Sequence, residues 1–238
     1  MVGGSPRAKA AARPARPLGA GRDWRRRLLL HHLPLAATSG GLLALLIAVS
    51  PSHGAGFLRQ STSATGDVAL VLLGLTLVIG PANLVLGRRN PVSSYLRRDV
   101  GAWTAIVSVV HVVLAFGVDG QGRILDFFIR DGRPLIDSFG LGNWTGLAAL
   151  VIVAGLLALS TNAAVRELKG RTWKDLQRLN YTLFALVVLH AVFYGALLRM
   201  TSPFTLVLIF TVAAVFFAQA TGIWLWRRRY PQTTAGLA

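Results

Sequence analysis

Two stretches decide how this chain is read: A-W-T-A-I-V-S-V-V-H-V-V-L-A-F from Ala102 to Phe116, and Y-T-L-F-A-L-V-V-L-H-A-V-F-Y-G-A-L-L from Tyr181 to Leu198. Each is almost wholly apolar, and each carries one imidazole, His111 in the first and His190 in the second. Placing a charged side chain in hydrocarbon costs roughly 2.5 kcal/mol or more, so an ionisable residue inside a spanning segment marks a functional site whose partner must be found.

The rest of the chain agrees with a bilayer setting. Of 238 residues, 53% are hydrophobic and 14% charged, against about 25% charged in a soluble domain. A spanning helix needs about 20 mostly apolar residues, and six segments qualify: Leu33 to Ser50, Val68 to Leu86, Val100 to Val118, Gly142 to Ser160, Leu176 to Leu198 and Phe204 to Trp226. Runs rich in Leu, Ala and Val favour helices over alternating barrel strands. The expectation is an all-α polytopic membrane protein, one six-helix bundle over 28–230. A disordered basic cytoplasmic tail (1–27) precedes it and a short cytoplasmic tail (231–238) follows.

The net charge of +16 could suggest a nucleic-acid partner, but its distribution follows membrane topology. Of the 25 Lys and Arg, 20 fall in the N-terminal tail, the Arg88–Arg98 loop, the Arg166–Arg178 stretch and Arg227–Arg229, leaving Arg59, Arg123, Arg130, Arg133 and Arg199 for the other side. This bias puts both termini in the cytoplasm of a multi-pass plasma-membrane protein, with lipid and not nucleic acid as the surrounding partner. Arg25-Arg26-Arg27 followed by Leu28-Leu29-Leu30 resembles a targeting signal, yet no small-residue cleavage site follows, so the segment is expected to be retained. The absence of Cys excludes disulfides, thiolate-ligated haem, iron–sulfur clusters and Cys-based zinc sites.

The third and fifth segments run in the same direction, so depth follows from sequence distance. From Arg98 to His111 and from Arg178 to His190, helical rise gives about 20 and about 18 Å. Two neutral imidazoles at one depth on separate helices suit axial ligation of a haem iron. The alternative is that each His makes a polar contact to Ser, Thr or a carbonyl on a neighbouring helix. Asp67, Asp99 and Asp175 fall at segment edges, which argues against a proton relay or cation transporter built on intramembrane carboxylates.

His31, His32 and His53 read as interfacial, with His31 or His32 also placed to contact a cofactor on the cytoplasmic side. The loop Asp119–Leu141 holds Ile124, Leu125, Phe127, Phe128 and Ile129 among four Asp and three Arg. It reads as an interfacial anchor or cap, or as a docking surface over the outer mouth of the bundle. Val110-His111-Val112 and Leu189-His190-Ala191 are too short to establish an internal repeat.

Arg97-Arg98-Asp99-Val100-Gly101-Ala102-Trp103 followed by His111 resembles the pattern of the ferric reductase-like transmembrane domain family, a group that includes the haem-binding subunits of methionine sulfoxide reductase systems. Trp173, Lys174, Leu176, Arg178, Leu179, Tyr181, Leu189 and His190 are similar to its second motif. Between them, Thr145-Gly146 and Ser160-Thr161-Asn162 fit the same group, so the resemblance covers about residues 85 to 200. It implies b-type haem between the third and fifth helices and transmembrane electron transfer, as the membrane component of an oxidoreductase. Many relatives carry a further histidine where this chain has Gln177, which implies one haem here, in the outer leaflet, with His111 and His190 as its iron ligands.

Arg97, Arg98, Lys174 and Arg178 would hold a flavin (FMN) phosphate or haem propionates by charge-assisted bonds, or simply obey the positive-inside rule. Few residues follow Arg229, so a separate reductase or a quinone is expected to donate electrons, with a ferric chelate or an extracytoplasmic redox subunit accepting them. The competing expectation is a transporter or assembly subunit without haem. Against it stands the absence of paired broken helices of the kind transporters use.

Overall fold

The computed structural model describes residues 25–49, 56–87, 95–119, 123–160, 176, 178–198 and 200–229. The tail to residue 24, residues 230–238, His53, Trp173, Lys174, Asp175 and Gln177 lie outside the described residues. The described chain is α-helical apart from one small hairpin. A π-helical turn, Leu28–His32, leads into α1 (Leu33–Val49), followed by α2 (Phe57–Val85) and α3 (Tyr95–Asp119). A 3-10 turn (Ile124–Phe127) and strands β1 (Ile129–Arg130) and β2 (Arg133–Pro134) come next, then α4 (Ser138–Leu159), α5 (Leu179–Phe193), a 3-10 turn (Ala196–Leu198) and α6 (Pro203–Arg229).

Among the described residues, five helices are long and apolar enough to cross a bilayer, counting α1 with its lead-in as Arg25–Val49. The sixth apolar helix, α5, is described over 15 residues. The expected segments all contain or overlap these helices, and α2 differs most. It begins at Phe57 and runs for 29 residues, because the hydroxyls of Thr62 and Thr65, which lower its local hydropathy, bond back to carbonyls of the same helix. Asp67 is therefore not at a segment edge: it lies ten residues into α2, about 15 Å from the helix start. Its Oδ2 is buried without a hydrogen-bond partner, so the expected lack of intramembrane carboxylates is corrected at this position.

Helix α2 is the central element. Its most apolar window is 61% buried, against 17% for those of α1, α3 and α6. Ala64, Val68, Leu72 and Ile79 of α2 form one core cluster with Leu35 and Leu46 of α1 and Val100 of α3. Leu73 of α2 joins a second cluster with Ala105 of α3, Ala149, Val153 and Leu156 of α4, and Leu183 of α5. Apolar burial gives little drive between helices when lipid is the solvent, so close packing and polar contacts must hold them. Gly74 faces Thr211 and Val215, and Gly222 faces Pro81, so the absence of Cβ atoms lets α2 and α6 approach each other closely.

Pro81 supplies the polar part of that contact. A proline inside a helix leaves the carbonyl four residues back without its N–H donor, and here that carbonyl is Leu77. Gln219 of α6 donates to it through Nε2 at 2.8 Å, while Gln219 Oε1 accepts from Tyr181 Oη of α5 at 3.2 Å. The last turns of α1 and α2 are closed similarly: Gln60 donates to Ile47 O at 2.5 Å and Arg229 to Leu84 O at 2.8 Å. The β1–β2 hairpin turns on Asp131 (φ 52°) and Gly132 (φ 73°), the left-handed pair that a two-residue hairpin requires. Asp137 caps α4 by accepting from Gly140 N at 2.8 Å.

Gln219→Leu is expected to lower stability by about 1 kcal/mol, the scale of an interhelical hydrogen bond in a membrane protein. Thermal or denaturant unfolding in detergent measures it. An unchanged midpoint would show that the Leu77 carbonyl does not depend on Gln219.

Candidate functional site

His111 on α3 and His190 on α5 come together inside the bundle. Their ring centroids are 6.1 Å apart and their planes are inclined at 81°. The shared depth expected from sequence distance therefore becomes an actual pair. Each ring is held by the neighbouring helix through the main chain: His111 Nδ1 bonds Thr62 O of α2 at 2.8 Å, and His190 Nδ1 bonds Gly142 O of α4 at 2.8 Å. A carbonyl can only accept, so both Nδ1 atoms carry the proton. Both Nε2 atoms are left with lone pairs, the form in which a neutral imidazole ligates a metal.

The approach of each ring to a helix backbone depends on glycine one turn further on. A Cβ at Gly66 would lie 3.0 Å from His111 Cε1, and one at Gly146 would lie 2.9 Å from His190 Nδ1. A side chain there would cover the carbonyl one turn back, because residues four apart stack on one helix face. Thr65 and Thr145 precede the two glycines. Their hydroxyls bond Thr62 O and Gly142 O, respectively, each at 2.9 Å. The same constellation thus occurs twice: a carbonyl, a Thr three residues on, a Gly four residues on, and a His on the next helix. Thr145-Gly146 stands out in the sequence, but Thr65-Gly66 does not until its partner histidine is known. The available signal was one Thr-Gly dipeptide about 45 residues before each intramembrane histidine.

An aromatic cap closes the hairpin end of the pair. Tyr194 lies against His190 with centroids 4.9 Å apart, and its Oη donates to Asn143 Oδ1 at 2.5 Å. Asn143 Nδ2 in turn donates to Phe127 O at 2.9 Å. Phe127 is buried against Phe116 and Phe139, at 5.2 and 5.9 Å between centroids. Of the apolar loop cluster, Phe127 therefore caps the bundle, whereas Ile124 and Leu125 remain exposed.

At the opposite, Arg-rich end, His31 and His32 are internal contacts and not simply interfacial groups. Asp99 of α3 is buried, and it bonds Arg27 and accepts from His31 Nδ1 at 2.6 Å. Trp103 Nε1 donates to His32 Nδ1 at 3.2 Å, which leaves the His32 proton on Nε2, 3.9 Å from Asp99 Oδ1. Both histidines lie in the π-helical turn Leu28–His32, whose wider i to i+5 bonding goes with two consecutive residues both reaching α3. Arg97, Arg98 and Arg178 begin α3 and α5 at this end, with Lys174 outside the described residues.

The family model for the ferric reductase like transmembrane component matches residues 65–188, a span that includes His111, Gly66 and Gly146 and ends two residues before His190. The chain belongs to the ferric reductase-like transmembrane family. Within the curated proteins it is 33% identical over 151 residues to the protein-methionine-sulfoxide reductase heme-binding subunit MsrQ of Ralstonia nicotianae, covering 63% of this chain and 65% of that one. It is 34% identical over 161 residues to the MsrQ of Deinococcus radiodurans, covering 63% of this chain and 72% of that one. A third relative, the magnetosome protein MamZ of Magnetospirillum gryphiswaldense, is 30% identical over 129 residues, which are 18% of its length. The ferric reductase-like region thus covers His111 and both cradle glycines, and the protein is a multi-pass, all-α membrane protein.

Gly66→Ala and Gly146→Ala are each expected to destabilise the protein by about 1–3 kcal/mol, the usual cost of overpacking. Gly155→Ala on α4 meets nothing within 4 Å and should be neutral or slightly stabilising, because alanine favours helix. Unfolding of the three variants in the same detergent tests the difference. Equal midpoints for Gly146→Ala and Gly155→Ala would contradict the cradle.

Proposed function

We propose that this protein is a haem-binding membrane electron-transfer subunit in which His111 and His190 are the axial ligands of one b-type haem. The reading rests on one observation above all: two imidazoles 6.1 Å apart, each with Nδ1 committed to a main-chain carbonyl and Nε2 left with its lone pair. The curated relatives named as heme-binding subunits support the same reading. When bound, haem iron supplies a one-electron couple tuned by its ligands and their hydrogen bonds.

The chain's residues then have distinct roles. Thr62 O and Gly142 O fix the ligand tautomer, and Gly66 and Gly146 admit the rings. Phe127, Phe139 and Tyr194 cover the hairpin end and restrict water there. The positive bias puts the Arg-rich end and both termini on the cytoplasmic side of a plasma membrane, with six spans once α5 is counted. Electrons enter from a reductase or quinone on that side and leave at the hairpin side to a ferric chelate or a redox subunit. FMN is the alternative inner carrier, with Arg97, Arg98, Lys174 and Arg178 as its phosphate contacts.

The competing reading, a transporter or assembly subunit, has Asp67 in its favour but gives no account of two imidazoles brought to 6.1 Å with Nδ1 of each committed to a carbonyl. Purified protein expressed with ample haem supply should give a b-type reduced-minus-oxidised spectrum and one haem per chain by pyridine haemochrome. His111→Ala and His190→Ala should each abolish the spectrum, whereas His53→Ala should not. A colourless wild type, or haem retained in both alanine variants, would end the proposal.

A further inference from the structure

Thr65 and Thr145 occupy equivalent places in the two cradles. Each hydroxyl bonds back to the carbonyl four residues earlier, Ser61 O at 2.8 Å and Leu141 O at 2.9 Å. Each also reaches the carbonyl three residues earlier, Thr62 O and Gly142 O at 2.9 Å, which is the one that accepts the imidazole Nδ1–H. Threonines in spanning helices commonly bond to their own backbone. Thr62 and Thr104 do so through the i−4 carbonyl, to Leu58 O at 2.9 Å and Val100 O at 3.0 Å. What sets Thr65 and Thr145 apart is that the shared acceptor also holds the histidine, and that this happens in both halves of the site.

We propose that the Thr65 and Thr145 hydroxyls are positioning groups that set the donor strength of His111 and His190 by sharing their main-chain acceptors. The inference rests on the haem reading of the pair. An imidazole whose Nδ1–H is strongly bound to an acceptor becomes more basic at Nε2, and a more basic ligand favours the ferric over the ferrous state. A carbonyl that already accepts a hydroxyl proton has less electron density for a further donor. Each threonine therefore weakens the Nδ1–H bond, limits imidazolate character and holds the reduction potential up. Because the cradles match, both ligands are moderated equally.

The test is a spectroelectrochemical titration of the purified, haem-loaded full chain, with the low-spin ferric electron paramagnetic resonance spectrum recorded alongside. Thr65→Val and Thr145→Val keep the side-chain shape and remove the hydroxyl. Each is expected to lower the midpoint potential, the pair together by about a tenfold change in the ferric-to-ferrous equilibrium, which is about 59 mV for one electron. Thr65→Ser and Thr145→Ser restore the hydroxyl and should return the wild-type potential and spectrum. Valine variants that retain haem at an unchanged potential would overturn the inference while leaving the two histidines as ligands. Loss of haem from the serine variants would assign the threonines to packing and also overturn it. A wild type without haem would remove the reading and the inference together, and that outcome is visible before any potential is measured.

Discussion

In hydrocarbon a main-chain carbonyl can gain a second hydrogen bond only from protein, and this bundle uses that capacity repeatedly. Gln60 donates to Ile47 O, Gln219 to Leu77 O, Arg229 to Leu84 O, His111 to Thr62 O and His190 to Gly142 O, and each bond joins two helices. Some of these carbonyls lie in last helical turns and one was orphaned by Pro81, so part of the pattern follows from the need to satisfy backbone groups where water is absent. The two histidine bonds differ. Thr62 O and Gly142 O lie in the first two turns of their helices, so their extra bond serves to orient a ring.

Such bonds explain why helices that gain little from apolar burial pack in one arrangement. Packing against α2 brings α1, α3 and α6 together, and the bond from Gln219 to Leu77 O fixes the register of α6 where Gly222 meets Pro81. The α2–α3 and α4–α5 pairs then present their histidines to each other. At the Arg-rich end, the buried Asp99 fastens the start of α1 to α3 through Arg27 and His31. The site is thus held at both ends, by an ionic cluster below and an aromatic cap above.

Much of this was legible in the sequence, and what was not has physical reasons. Continuous Leu, Val and Ala runs identify spanning helices because a bilayer demands them, and His111 and His190 stand out because hydrocarbon penalises ionisable groups. Distance along parallel helices was enough to bring the pair together. The start of α2 is not evident from the sequence because the Thr62 and Thr65 hydroxyls bond back to their own helix, so polarity there does not signal exposure. Asp67 was misplaced with it. That two consecutive histidines, His31 and His32, both approach Asp99 goes with a π-helical turn that no residue pattern announces, and the hairpin at Asp131-Gly132 is only a loop by sequence. The Thr65-Gly66 cradle escaped because its partner in the contact is a peptide group, which has no letter in the sequence.

That last feature bears on how the site tolerates mutation. A side-chain partner for each imidazole could be erased by one codon change, but a main-chain oxygen survives any substitution that keeps the helix. Residue 62 is Thr and residue 142 is Gly, side chains with nothing in common, yet the bond to histidine is 2.8 Å in both. Fragility is transferred one turn along, to Gly66 and Gly146, where any added carbon meets the ring. Residue 142 is constrained for a separate reason, since a Cβ there would lie 2.7 Å from Tyr194 Cε2, so residue 62 is the bond-making position left free to change, while Gly66 and Gly146, which make no bond to the rings through side chains, must stay fixed.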